Sequence, residues 1–289
     1  MSKIVRLGIF PNLDKEKVHI ALPEILSMCK DWGLNPLLPM DIAKEYGCDG
    51  YDVNQPATLL SMDGAVSLGG DGTLLQMARQ LLPYNIPIFG VNFGHLGFLA
   101  EIDLRGISRA IARLAQGNYN LEHRTLLQAV VQNENTGTTK AVAHALNEFV
   151  LAKGIFSKMA NIRMFISGKP SGSYKADGLI VATATGSTAY NLSAGGPLVM
   201  PELDLKIVTP VCAHSLQARA LVLPMDEAID LRAVPGSEEL VLASDGENIV
   251  SVVEGDVVHI ERSPYQVKLI RLTSRDYYQT WQQKLMRSY

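Results

Sequence analysis

The segment Gly-Gly-Asp-Gly-Thr at positions 69–73 combines backbone freedom with a carboxylate and a hydroxyl. Glycines permit positive φ and a close approach to a ligand, and the first N–H groups of a helix attract anions. The segment therefore predicts a phosphate-binding turn. The residues expected to hold phosphate are Gly69, Gly70, Gly72 and Thr73.

Asp71 does not suit a pure phosphate cradle, because its carboxylate repels an anion. Beside a bound phosphate it suits two roles instead, as the acceptor of a hydroxyl proton or as a metal ligand. We therefore predict that Asp71 is catalytic. The alternative is that its side chain caps the helix at Thr73.

A second dense stretch covers residues 176–197. Asp177 precedes an apolar segment at 178–183, and a glycine-containing turn rich in hydroxyl groups follows it. Such hydroxyls suit hydrogen bonding to a sugar or a base. The alternative is a helix start whose hydroxyls are satisfied within the turn. The polar residues of this turn are Thr183, Thr185, Ser187, Thr188 and Tyr190.

A further glycine turn lies at residues 92–98. Phe98 either stacks there on a flat ligand or packs in the interior, and the sequence leaves both open. His95 is predicted to be structural.

The elements that position these residues alternate in the first part of the chain. Apolar periodicity predicts strands at 4–10, 34–38, 64–69 and 86–91 and helices at 15–32, 73–82 and 104–116. Residues 41–55 are expected to form a loop, either without regular structure or with one short helix. This β-α-β order implies a parallel, Rossmann-like sheet whose ligand lies beyond the carboxyl ends of the strands, where the glycine turns fall.

From about residue 121 the pattern changes to short strands between turn residues, which predicts a mostly-β domain. Strands are expected at 126–132, 141–145, 162–167, 178–183, 207–209, 228–233, 239–243, 249–253, 256–261 and 267–271. A closing helix is expected at 274–286 with Ser274 as its cap. The expected domains are therefore 1–120, 121–271 and a C-terminal helical segment at 272–289.

Composition limits the possible partners. The 289 residues are 47% hydrophobic, and 26 Lys plus Arg face 29 Asp plus Glu, so the whole-chain charge favours neither nucleic acid nor an anionic membrane. The three cysteines have no Cys-x-x-Cys spacing, which favours a reducing compartment over a disulfide framework or zinc site. We expect a cytoplasmic protein without a membrane-spanning segment.

Taken together, the motifs resemble those of bacterial-type ATP/polyphosphate-dependent NAD kinases, over nearly the whole chain. They are Gly69-Gly-Asp-Gly-Thr73, Asn147-Glu148, Ala176-Asp-Gly178, Thr185-Gly-Ser-Thr-Ala-Tyr190, Gly94-His-Leu-Gly-Phe98, Ser193-Ala-Gly-Gly-Pro197, His214-Ser-Leu216 with Arg219, and Asp245-Gly246. The first motif is shared with lipid kinases, whereas the later ones are more restrictive. Alanines at 184, 213 and 220 stand where the family often has proline, which affects loop rigidity and not donors or acceptors.

The resemblance implies a fold, an assembly and a site. The fold is an N-terminal α/β domain and a C-terminal β-sandwich-like domain, with a closing helix that returns to the first domain. NAD would lie between the domains of a homotetramer or homodimer, with a neighbouring subunit completing the pocket. The NAD-binding residues implied are Asp71, Gly72, Phe98, Asn147, Glu148, Lys175, Asp177, Thr185, Thr188, Ala189, Tyr190 and His214.

The implied reaction transfers the γ-phosphoryl group of ATP, with Mg²⁺, to the 2′-hydroxyl of the adenosine ribose of NAD and gives NADP. Asp71 would orient that hydroxyl and accept its proton late, because a carboxylate is a weak base for an alcohol. The sequence contains no dedicated metal site. The alternatives are an inactive NAD(P)-binding regulator and a lipid kinase. ATP versus polyphosphate, NAD versus NADH, oligomer size and regulation by NADP(H) stay open.

Overall fold

A computed structural model of the chain describes residues 3–94, 97–100, 102–154, 159–236, 238–272 and 277–285. The chain divides into two compact units. Unit 1 contains Met1–His123 and Val267–Tyr289, and unit 2 contains Arg124–Gln266. The divisions fall at 123/124 and 266/267, compared with the expected 120/121 and 271/272.

Unit 1 contains a parallel sheet, which confirms the α/β class expected for this part of the chain. Its strands are β1 (Arg6–Pro11), β2 (Asn35–Pro39), β3 (Asp49–Tyr51), β4 (Gly64–Gly69), β5 (Ile88–Asn92) and the short β6 (Ile102–Asp103). The strands pair in the order β6-β5-β4-β1-β2-β3. Strand β3 lies within the segment 41–55, where a loop was expected. Parallel pairing to β2 stabilises this strand, although its residues have weak strand propensity.

Helices α1 (Glu16–Asp31), α2 (Met40–Ala43), α3 (Pro56–Leu60), α4 (Asp71–Leu81) and α5 (Ile107–Gln116) connect or follow these strands. The apolar stripe of α1, including Val18, Leu22 and Ile25, is almost completely buried. It packs in one core with side chains of the sheet such as Ile9 and Val66. Burial of this stripe against the sheet fixes the helix in place.

Unit 2 is built almost entirely from strands. They are β7 (Asn120–Asn133), whose first residues belong to unit 1, β8 (Thr139–Ala145), β9 (Glu148–Lys153), β10 (Ala160–Ile166), β11 (Lys169–Ala176), β12 (Gly178–Thr183), β13 (Leu205–Val211), β14 (Leu221–Pro224), β15 (Ile229–Ala233), β16 (Leu240–Ser244), β17 (Glu247–Val252) and β18 (Asp256–Arg271). The short helix α6 (Tyr190–Ser193) follows a 3₁₀ turn at Thr185–Thr188.

These strands form two antiparallel layers. One sheet has the order β14-β13-β12-β9-β16-β17, and the other contains β11-β10-β15-β18 together with the β7-β8 pair. Their inner faces share one core, in which Leu151 and Leu179 of the first sheet meet Ile162 and Leu231 of the second. The expected sandwich-like β domain is therefore confirmed. Alternating burial along β15 and β16 reflects the two-residue period of a strand with one buried face.

The last strand differs from the prediction. Two strands were expected at 256–261 and 267–271, but β18 runs without interruption from Asp256 to Arg271. The exposed Pro264 lies inside this strand, between two separately paired segments. Residues 257–260 pair with β15, whereas Leu269 pairs in parallel with Ile88 of β5.

Helix α7 (Tyr277–Leu285) belongs to unit 1. The hydroxyl of buried Tyr277 donates to Glu122 Oε1 at 2.7 Å, which anchors the helix. The expected cap Ser274 lies outside the described residues. Among the helices of the described ranges, none is both long enough and apolar enough to cross a bilayer.

Candidate active site

The glycine turn connects β4 to α4 at the carboxyl end of the parallel sheet. None of Gly69, Gly70 and Gly72 has a positive φ, so the expectation of left-handed backbone in this turn is wrong. The constraint is space: a Cβ at Gly69 would lie 2.2 Å from the Thr73 hydroxyl oxygen. Gly70 is extended and Gly72 is exposed. At Gly69, the turn therefore uses glycine for close packing of the backbone against Thr73.

Asp71 opens helix α4 but does not cap it, since its side chain makes no capping bond. Its carboxylate instead accepts three backbone N–H groups from the second glycine turn. These come from Phe98 at 2.6 Å, Leu99 at 3.2 Å and Ala100 at 3.0 Å. The capping alternative is thus wrong, and Asp71 links the two turns that follow β4 and β5.

The second glycine turn requires close approach at Gly97. A Cβ there would lie 1.8 Å from Asp71 Oδ1, so only glycine allows the carboxylate to reach the amides. The Lys284 ammonium of α7 lies 4.1 Å from the centre of the Phe98 ring. Phe98 is half-buried, and the Lys284 ammonium lies over one face of its ring in a cation–π contact. His95 lies outside the described residues.

Two residues near the phosphate turn were not predicted as site residues. The Asn12 amide donates to the Thr73 hydroxyl at 3.5 Å, and Lys15 places its Nζ 3.4 Å from where a Cβ of Gly70 would be. Both follow β1, which is paired with β4. The only sequence signal for them was their position at the end of a parallel strand, where ligands bind.

In unit 2, Asp245 holds the backbone of the Asn147-Glu148 pair. Its carboxylate accepts the N–H groups of Leu146, Asn147 and Glu148 at 2.8, 2.8 and 3.0 Å. Asp245 itself has a φ of 46°, in the left-handed region that disfavours a side chain. The Asp245-Gly246 motif was noted only as agreement with the family, and this positioning role was missed.

The hydroxyl-rich turn packs directly on the same backbone. Thr183 donates its hydroxyl to Leu146 O at 2.6 Å and its N–H to Asn147 O at 2.8 Å. A Cβ at Gly186 would lie 2.2 Å from Asn147 O, so this approach requires glycine. The structure thus brings together Asn147 and Glu148 with the turn that contains Thr185, Thr188, Ala189 and Tyr190.

Glu148 is the most perturbed acid of this group. Burial, followed by the nearby Asp245 carboxylate, raises its pKa to about 8, against a lowering effect of the Tyr190 backbone N–H. Within the described part of the chain, its Oε2 is buried without a hydrogen-bond partner. A buried carboxyl oxygen in this condition favours a ligand that can supply the missing bond.

The hydroxyls of this turn have several partners inside unit 2. Buried Arg124 donates to the Thr185 hydroxyl at 3.2 Å, and Thr188 donates to Thr185 O at 3.3 Å. No pattern in the sequence indicates that the arginine at 124 is buried. Tyr190 is 44% exposed, so its ring is available at the surface.

Lys175, Asp177 and His214 form a separate group. The His214 N–H donates to Lys175 O at 2.8 Å, and Asp177 pairs with Lys153 at 2.7 Å. Asp177 precedes β12, whereas the hydroxyl-rich turn follows it. Glu148 pairs across the sheet with Ala182, which lies five positions after Asp177. Along the strand this offset is a distance of about 17 Å. The predicted nucleoside residues therefore lie at two ends of one strand.

Over the described ranges, no group of three or more His, Cys, Asp or Glu side chains is arranged to hold a metal ion.

Comparisons with known proteins agree with this geometry. The family model "ATP-NAD kinase N-terminal domain" matches residues 50–119, and "ATP-NAD kinase C-terminal domain" matches residues 146–272. The NAD kinase of Moorella thermoacetica is 38% identical over 280 residues, which cover 97% of this chain and 89% of that protein. The NAD kinase of Carboxydothermus hydrogenoformans is 41% identical over 275 residues, 95% and 97% of the two chains.

Two solved structures share the fold. Yeast NADH kinase complexed with NADH has a TM-score of 0.90 at 24% identity and covers 100% of this chain and 89% of its own. An NAD kinase from Archaeoglobus fulgidus in complex with ATP has a TM-score of 0.72 at 23% identity and covers 96% of each chain. A parallel sheet with an Asp-containing glycine turn, joined to a β-sandwich, defines a class of phosphotransferases. Within it, the matched family models and relatives show that the chain belongs to the NAD kinase family.

Proposed function

We propose that the protein transfers the γ-phosphoryl group of ATP to the 2′-hydroxyl of the adenosine ribose of NAD, which gives NADP. The observation that carries this proposal is the position of Asp71. Its carboxylate lies within the phosphate turn at the carboxyl end of a parallel sheet, where ligands of such sheets bind. Three backbone N–H groups fix its orientation. A fixed carboxylate beside a phosphate suits the positioning of an acceptor hydroxyl.

The chemical roles follow from this arrangement. Asp71 orients the 2′-hydroxyl and accepts its proton late in a loose transition state, so positioning supplies most of the rate. The amides around Gly69, Gly70, Gly72 and Thr73 hold donor phosphates, supported by the helix start. The donor is the Mg²⁺ complex of ATP, and Mg²⁺ enters as part of this substrate.

NAD selectivity is assigned to unit 2. The buried Asn147 and Glu148 lie beside the hydroxyl-rich turn, and the unpaired Glu148 Oε2 supports a role in binding a nucleoside. A nucleoside hydroxyl would supply its missing hydrogen bond. We assign the ring of Phe98 to contact with the adenine of NAD.

We also propose a homotetramer or homodimer. Support comes from the exposed sheet edge and apolar side chains of unit 2. Strand β14 at the edge of its sheet exposes Val222, and the preceding segment exposes Leu216 to 93%. Exposed edges and apolar side chains favour association.

The compartment is proposed to be the cytoplasm. Cys29, Cys48 and Cys212 are all free thiols, and Cys212 is exposed, which suits a reducing environment.

One assay tests the reaction. The purified protein is incubated with NAD, ATP and Mg²⁺, and NADP is detected with an NADP-specific dehydrogenase. Formation of NADP that depends on both substrates is expected. NAD binding without turnover would indicate the inactive regulator, and phosphorylation of a lipid alcohol instead of NAD would indicate a lipid kinase; either outcome overturns the proposal.

A further inference from the structure

The peptide group between Leu99 and Ala100 is hydrogen-bonded on both sides. Its N–H donates to Asp71 Oδ1 at 3.0 Å, and its C=O accepts a hydrogen bond from Arg271 Nη1 at 3.3 Å. A trans peptide is planar, and its N–H and C=O point in opposite directions. A group that fixes this C=O therefore also fixes the N–H that reaches the carboxylate of Asp71.

Arg271 reaches this peptide from the end of β18. The strand pairs in parallel with β5 through Leu269 and Ile88, and the second glycine turn follows β5. Arg271 is only 6% exposed, and its bond to Leu99 O is buried. A hydrogen bond from a guanidinium is charge-assisted, and a buried setting strengthens it further. The end of β18 is thus attached to the loop that orients Asp71.

Glu122 orients the guanidinium group of Arg271. Its Oε2 accepts a hydrogen bond from Arg271 Nε at 2.5 Å, and its Oε1 accepts one from the Tyr277 hydroxyl at 2.7 Å. The side chains of Arg271 and Glu122 are 7% and 17% exposed, so the two opposite charges compensate each other in the interior. Because the guanidinium is a rigid planar fork, a bond at Nε also sets the direction of Nη1.

Helix α7 contacts the same loop at a second point. The Lys284 ammonium lies 4.1 Å from the centre of the Phe98 ring. The N–H of Phe98 in turn donates to Asp71 Oδ2 at 2.6 Å. Residues 98–100 are therefore attached to Asp71 through three N–H groups and to the C-terminal part of the chain through one C=O and one ring.

We propose that Arg271, held by Glu122, is a positioning residue for phosphoryl transfer, because it fixes the 99–100 peptide and thereby the carboxylate of Asp71. The inference rests on the proposed function for the role of Asp71. It adds a role for a residue that lies outside both glycine turns. Alignment of reacting groups supplies a large share of the rate, and a displacement of about 1 Å can cost about 10²-fold.

Arg271→Lys tests this positioning. Lysine keeps a cation beside Glu122, but a single ammonium does not reproduce the fixed fork that bonds Glu122 and Leu99 O together. We expect kcat to fall about tenfold or more, with the KM for ATP within about twofold of wild type. An unchanged kcat in the folded variant would overturn the inference.

The matched control is Ile270→Ala. Ile270 is 1% exposed and lies in the core of unit 1, one position before Arg271. Its truncation destabilises the same strand by leaving a cavity, while the bond to Leu99 O remains. At a temperature where thermal scans show every protein folded, Ile270→Ala should keep kcat within about twofold of wild type. An equal loss of kcat in the two variants would show that Arg271 only supports the core.

A double-mutant cycle tests whether the effect passes through Asp71. In the Asp71→Asn background, Arg271→Lys should change kcat by less than about twofold, because the carboxylate that it positions is already absent. A role confined to the core would give the same fold-change in both backgrounds. An undiminished loss of kcat in the Asp71→Asn background would therefore contradict the inference.

Amide hydrogen exchange separates this inference from the proposed function, because it needs no turnover. NMR resolves the amides of residues 98–100, and their exchange should quicken about tenfold or more in Arg271→Lys but not in Ile270→Ala. If wild type forms no NADP and this quickening occurs, the positioning stands while the reaction fails. If wild type forms NADP and these amides exchange equally in wild type and Arg271→Lys, the positioning fails and the reaction stands.

Discussion

The carboxylate of Asp71 accepts the backbone N–H of Phe98 at 2.6 Å, across a separation of 27 residues. A hydrogen bond therefore couples the proposed catalytic carboxylate to the loop that contains Phe98, the proposed contact of the adenine. An ionised carboxylate has about four acceptor positions, and the N–H groups of residues 98–100 use three of them. One position is left for a substrate hydroxyl without breaking the loop contacts.

Asp71→Asn should lower turnover by about 10²–10⁴-fold, because an amide neither accepts a proton nor accepts all three N–H bonds. The lost bonds should also weaken NAD binding, since Phe98 belongs to the same loop. Steady-state kinetics with both substrates and a thermal unfolding scan measure the two effects.

Asp63→Asn is the matched control for this variant. Asp63 lies at the other end of β4, and its Oδ2 accepts the N–H groups of Val5 and Arg6 at 2.9 and 2.8 Å. Loss of N–H bonds alone should affect stability in both variants, but only Asp71→Asn should lose turnover by orders of magnitude. Similar kinetics for the two variants would show that Asp71 is structural.

Glu148 should make stability depend on pH. Its pKa is about 8 in the folded chain and near 4.5 when unfolded, because burial and then Asp245 disfavour its charge. Its stabilising contribution is complete below pH 4.5 and is lost as the pH rises toward 8. Over this window, wild type should lose about 1.4 kcal/mol of unfolding free energy per pH unit more than Glu148→Gln. Denaturant titrations at several pH values measure the difference.

Glu239→Gln controls for a change of net charge, since Glu239 is exposed in the same unit. This variant should follow the wild-type pH dependence. Parallel stability curves for wild type and Glu148→Gln would mean that Glu148 is already ionised in the folded protein.

Substitutions in unit 2 should act on NAD and not on ATP. Asn147→Ala and Asp177→Ala should each raise the KM for NAD by about tenfold or more, because each leaves a polar group of the ligand without its partner. Lys153→Ala removes the ion pair of Asp177 but keeps the carboxylate. If Asp177 binds NAD directly, Lys153→Ala should have a much smaller effect. Equal increases in the KM for both substrates would place a different ligand here.

Dilution should lower specific activity if subunits complete one another's sites. The Asp177 and Glu148 groups lie at opposite ends of β12, and in a shared site one group would come from each of two chains. Addition of NAD should shift the population toward the larger species by mass action. Light scattering and activity on the same dilution series test this. A fully active monomer would refute a shared site and leave the reaction intact.

The sequence predicted the elements that depend on local pattern. Strand β12 begins and ends at the residues expected, because its apolar run is bounded by polar and glycine residues. The phosphate turn was also located correctly between β4 and α4. Positive φ was wrong as a reason for its glycines, and the packing of Gly69 against Thr73 depends on a neighbouring side chain and not on local backbone preference.

Long-range contacts could not be read from the sequence. Asp71 has its partners in residues 98–100, and Asp245 has its partners in residues 146–148. Neither set has a local signature, because a carboxylate that binds backbone N–H groups places no demand on the side chains of its partners. Strand β3 was missed for a similar reason, as pairing with β2 overrides its weak propensity.

The continuous strand β18 has a consequence for the order of folding. Unit 1 needs the end of the chain: Leu269 pairs with β5, Ile270 and Leu272 enter its core, and Arg271 donates to Glu122 at 2.5 Å. During synthesis, the first 123 residues leave the ribosome without these partners, so unit 1 cannot complete its core before the last residues are made. Unit 2, from 124 to 266, has all of its own strands earlier. The segment that begins the chain is therefore the one that finishes folding last.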